Sequence, residues 1–138
     1  MRYQWKLAVL AAVALGVAYF GTATAKDDEI KDTKGCMAFQ NKLRGDLPKQ
    51  LKSKTPDWDE IQKETKDWVG VAETLGKQTP PKGSAESWKK QTELYMTNVK
   101  AVDTAAGKKD AEGATKALAT IGNSCGGCHS QHKPAKPK

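Results

Sequence analysis

Three cysteines and two histidines are the only soft metal ligands other than methionine in a chain of 138 residues. A structural zinc site normally draws on two well-spaced ligand pairs, and only one close pair of cysteines is present. No segment shows a strand pattern. That removes the βαβ setting in which a dithiol redox motif normally sits. The apolar run Leu7 to Phe20 falls short of the roughly 18 residues of a membrane span. There is no internal repeat and no second domain, so the length fits one domain with a modest core.

What the chain does hold is concentrated at its ends. Near the C-terminus stands Cys125-Gly126-Gly127-Cys128-His129, the C-x-x-C-H pattern of c-type haem attachment. Two sulfurs at this spacing can both bond to the vinyl-derived carbons of one haem, and the adjacent histidine reaches the iron from the proximal side. A zinc ion on Cys125, Cys128 and His132 would still lack a fourth ligand. The expected cofactor is therefore a single covalent haem c.

At the N-terminus Arg2 and Lys6 precede the apolar run, and Ala23-Thr24-Ala25 sets small residues where a signal peptidase reads. Residues 1–25 are expected to be a signal peptide, leaving a mature chain from Lys26. The competing reading is an uncleaved anchor over Leu7–Ala25. Export to the periplasm or an equivalent extracytoplasmic compartment agrees with haem attachment, which bacteria complete outside the cytoplasm. Cleavage removes two basic residues and no acidic ones from a chain of net charge +7. Most of the remaining lysines read as a solvated surface. An exported protein is not expected to meet nucleic acid, but a basic carrier can favour an acidic patch on a redox partner protein.

Periodicity predicts four helices. The first starts at Asp27 or Asp28 and runs to about Leu51, with Cys36, Phe39, Leu43, Leu47 and Leu51 on one face and Ile30 and Met37 on its flank. Gly35, Gly45 and Pro48 argue against its regularity. In the second, Thr55 is the expected cap and Pro56 the first residue. Trp58, Ile61, Thr65, Trp68, Ala72 and Leu75 form its seam, and Gly76 closes it. A loop over 77–83 carries Pro80-Pro81.

Ser84 is the expected cap of the third helix, whose seam is Trp88, Thr92, Tyr95, Val99, Val102 and Ala106, with Gly107 as its stop. Asp110 caps the fourth, where Ala111, Ala114, Leu118, Ile121, Cys125 and Cys128 continue one stripe. Both motif cysteines thus face the core, which sets the porphyrin against it. His132 is expected at the surface, and residues 134–138 as a disordered Lys/Pro tail.

Short links between four helices predict an all-α, antiparallel four-helix bundle, a fold that holds cofactors between facing helices. A helical chain of this length with C-x-x-C-H at the end of its fourth helix resembles the cytochrome c-prime family, the class II c-type cytochromes. The resemblance covers Lys26 to about Lys133. Pro80-Pro81-Lys82-Gly83 followed by Ser87-Trp88-Lys89 is similar to a small monohaem branch from anaerobic ammonium-oxidising bacteria. The resemblance implies a dimer, with an identical or a related cytochrome. It also implies one of three states opposite His129: an apolar residue leaving the iron open to NO or CO, a first-helix Met, or a Cys.

Both sulfur candidates are present, side by side, as Cys36 and Met37. Cys36 lies within the predicted buried face, and it is the cysteine left over once haem has taken two. Gly35 would allow a close approach of the porphyrin to the backbone. The expected distal ligand is Cys36, with Met37 as runner-up and an open site as a third state; an inert buried Cys36 is the plain alternative. The expected function is electron transfer at low potential, because a thiolate pushes electron density onto iron. The alternative is NO or CO binding at an open or displaceable site. Enzymatic, peroxidase-like chemistry is not expected: it needs a polar distal base, and only Arg44, about two turns from Cys36, is a candidate.

Overall fold

The computed structural model describes residues 30–135. The expected signal segment, the Asp27–Asp28 helix start and the last three residues of the tail lie outside them. Among the described residues there are four helices and no strand: α1 (Thr33–Leu51), α2 (Trp58–Lys77), α3 (Ala85–Gly107) and α4 (Ala111–His132). Each helix packs on its neighbours in chain order, and α1 also meets α4. No helix among them is long and apolar enough to cross a membrane.

Every helix starts on a side chain that accepts from the backbone N–H three residues on, satisfying one orphan donor of the first turn. Asp32 accepts from Gly35 at 2.7 Å, Asp57 from Glu60 at 3.1 Å, Ser84 from Ser87 at 3.2 Å and Asp110 from Gly113 at 2.9 Å. Two expected starts are thereby corrected. α1 begins at Thr33 behind Asp32, and α2 begins at Trp58 behind Asp57 rather than behind Thr55. A carboxylate outcompetes a threonine hydroxyl for this role, which leaves Pro56 before the cap.

α1 also runs unbroken through Pro48. The proline removes one hydrogen bond near the end, a cost of about 3 kcal/mol in a helix interior. Burial of Leu43, Leu47 and Leu51 around it returns about 1.5–3 kcal/mol each. Burial wins.

The buried side chains fall into two groups. The larger joins all four helices through Leu43, Leu47, Ile61, Trp68, Val99, Val102 and Ile121. The smaller consists of Cys36, Val71, Leu75 and Trp88, with Ile30, Met37, Tyr95 and Cys128 packed against it. The predicted seams of α2, α3 and α4 match this burial except that Trp58, Tyr95, Ala111, Cys125 and Cys128 are half-buried, and that Val71, Ala105 and His132 are buried outside them. A polar tie between α2 and α3 sits inside the core: Thr65 Oγ1 donates to Asp103 Oδ1 at 2.8 Å.

Candidate functional site

A cavity of about 580 Å³ opens beside the smaller core group. That volume lies within the roughly 300–1,000 Å³ of ligand and cofactor sites. α4 contributes Cys125, Cys128 and His129 to its wall, and α1 contributes Met37 and Gln40 from across the space. α3 adds Trp88 and Tyr95. The three motif residues therefore border one cavity.

The two sulfur candidates are placed differently. Met37 lines the cavity, and its Sδ accepts from Gln40 Nε2 at 3.2 Å. Cys36 is 1% exposed and lies one layer behind, its thiol 3.7 Å from the Val71 carbonyl. It remains in the same packed group as Trp88 and Cys128. Burial first, and then Asp32, push the Cys36 thiol above its ordinary pKa, offset in part by a backbone hydrogen bond. Gly35 does not face the cavity. A Cβ there would sit 3.1 Å from Ile30 Cγ2 and 3.2 Å from Asp32 Oδ1, so this glycine makes room for the α1 cap.

Burial followed by the neighbouring Cys125 raises Cys128. Desolvation, and then Lys133 and Arg44, lower the His129 imidazole, which favours the neutral ring a metal requires. Arg44, the conceivable distal base, does not line the cavity. Its Nη1 reaches Cys125 Sγ at 3.6 Å from the α1 side.

One polar residue on the wall was missed by periodicity. Gln40 is 3% exposed, and its Oε1 has no hydrogen-bond partner among the described residues. Trp88 Nε1 is likewise buried without a partner. Orphaned buried polar atoms are rare and point to something that satisfies them. Gln40 was legible only as the residue filling the turn between Cys36 and Leu43; its polarity hid it.

His132 is a clear correction. Expected at the surface, it is 2% exposed, with Nδ1 2.7 Å from the Lys82 carbonyl and Nε2 3.0 Å from Ser87 Oγ. Both ring nitrogens are thus engaged by the protein. Among the described residues no three His, Cys, Asp or Glu side chains are grouped to hold a metal ion. Comparison of the chain with family models, curated proteins and solved structures finds no match.

Proposed function

We propose that this is an exported monohaem c-type cytochrome that carries electrons, its helices forming an antiparallel, c-prime-like bundle. One observation carries the reading: Cys125, Cys128 and His129 line a single cavity of cofactor size whose walls come from all four helices. Gln40 and Trp88, each with a buried polar atom that has no partner among the described residues, belong to that wall. Haem c, when bound, supplies a one-electron iron couple.

The chain's own residues do the rest. Cys125 and Cys128 hold the group covalently, and His129 offers a neutral imidazole from the last turns of α4. Trp88, Leu75 and Met37 keep water from one side, which lowers the local dielectric and helps tune the potential. Cys36 is the proposed distal ligand: it is the thiol left over, and it packs in the same group as Cys128 and Trp88. Coordination by a thiolate favours the ferric state and a low potential.

Met37 is the second reading, favoured by its place on the cavity wall. It predicts a higher potential. NO or CO binding at an open or displaceable position is the alternative function, and the space bordered by His129 and Met37 would admit it. Partners would be redox proteins and a second cytochrome subunit.

Optical and EPR spectra of the ferric protein beside Cys36→Ser and Met37→Leu decide among these. A low-spin thiolate signal lost only in Cys36→Ser is the expected result. Loss only in Met37→Leu transfers the role to Met37. A high-spin wild type that binds CO on reduction replaces electron transfer with gas binding.

A further inference from the structure

His132 follows His129 by three residues, which sets it one turn on along nearly the same face of α4. The last turn of a helix is its least secured part, because its carbonyls lack intrahelical donors and it frays. A metal ligand carried there needs support from outside the helix. Around His132 that support is dense. The Lys82 carbonyl can only accept, so Nδ1 carries the proton and donates to it at 2.7 Å. Nε2 meets Ser87 Oγ at 3.0 Å, and the same hydroxyl contacts the Gln131 side chain. The Trp88 ring stands edge-on, its centroid 5.2 Å away.

The loop is shaped to receive this ring. Gly83 has φ +81°, and a Cβ there would lie 2.9 Å from both His132 Nδ1 and the Gln131 carbonyl oxygen. Only glycine combines that conformation with so close an approach. The segment between α2 and α3 and the first turn of α3 are therefore keyed onto the end of α4. His132 itself lines the cavity beside His129 and Cys128.

We propose that His132 is a positioning residue of the candidate haem site: a clasp that joins the α2–α3 loop to the turn bearing Cys128 and His129 and sets the height and rotation of the His129 ring. It rests on the cytochrome reading, since a ligand must be present for its orientation to matter. Supporting residues of this kind are what hold a ligand within the narrow tolerance a metal site requires.

The test uses the full, haem-loaded protein with His132→Phe, which keeps a ring but loses both hydrogen bonds, Gly83→Ala, which crowds the ring, and His132→Asn, which restores a donor near the Lys82 carbonyl. Three quantities are read: midpoint potential, the ferric EPR signature, and hydrogen exchange of the amides of the last α4 turn. The phenylalanine and alanine variants are expected to shift potential and EPR signature in the same direction. Exchange should rise roughly tenfold or more, the size expected for two lost hydrogen bonds. Asn is expected to recover most of each effect. Faster exchange with unmoved potential and EPR signature makes His132 a structural tie only and overturns the assignment. A wild-type chain without covalent haem overturns the cytochrome reading itself, and the assignment with it.

Discussion

Tyr95 stands between the core and the cavity, and its phenol shows how a single residue senses both. The fully buried Trp68 donates its indole N–H to the Tyr95 oxygen. Burial above all raises the phenol beyond its ordinary pKa, with Cys125 and Cys36 adding to the rise and Trp68 and Arg44 opposing it. A raised folded pKa means that its contribution to stability is complete below the unfolded value, about 10, and is lost as pH climbs through the folded one. Tyr95→Phe should therefore unfold at lower urea at neutral pH, by about 1 kcal/mol for the lost bond. It should also lose less stability than wild type between about pH 9 and about pH 11. Urea titrations at both ends check this, and equal slopes would sink it. The same scale holds the distal question: Cys36 and Met37 are neighbours in sequence, yet one is packed behind the wall and the other forms it.

At the scale of elements, α3 ends where expected but is capped by an unexpected residue. Gly107 is the last helical residue, as expected, but the left-handed conformation falls at Lys109, with φ +56°. Lys109 N–H bonds the Ala106 carbonyl and Asp110 N–H the Ala105 carbonyl, both at 2.9 Å. That is the paired pattern of a Schellman cap, which glycine usually completes. A lysine there bears a left-handed cost of about 1–2 kcal/mol, so Lys109→Gly is expected to raise the thermal midpoint, by a few degrees at most once glycine's extra chain entropy is subtracted. A fall in the midpoint on calorimetry would show that Lys109 has contacts worth more than the strain. The left-handed turn at Lys109 sets Asp110 where it caps α4.

For the whole molecule, the division of buried side chains into two groups matters most. None of the buried members of the larger core, from Leu43 through Trp68 to Ile121, lines the cavity, although Tyr95 packs on it from the cavity side. On the proposed cytochrome reading, replacing both Cys125 and Cys128 by alanine is therefore expected to abolish covalent haem while preserving the helical far-UV circular dichroism. The thermal midpoint should be lower, because the cavity keeps no tethered group. Haem colour that survives acid–acetone extraction in this variant would contradict attachment through these sulfurs. The seams of α2, α3 and α4 were legible because long three-four periodicity reports burial directly. α1 was less legible: its glycines and Pro48 speak against a helix locally, and only packing against α2 and α4 overrides them.

The sequence alone determined four amphipathic segments, three of their faces almost residue for residue, and the C-x-x-C-H motif on the apolar stripe of α4. These follow from local spacing, which survives without knowledge of neighbours. Only the tertiary structure decided the helix starts, because Asp32 and Asp57 win their caps by geometry rather than by order in the chain. It alone brought Gln40 and Trp88 to the cavity wall with unpaired polar atoms, put Met37 in front of Cys36, and buried His132. A histidine at a helix end reads as solvent-exposed until a loop some fifty residues earlier in the chain (Lys82 is 50 positions away) folds back to meet it. No periodicity within α4 carries that information, because the partner lies on another element.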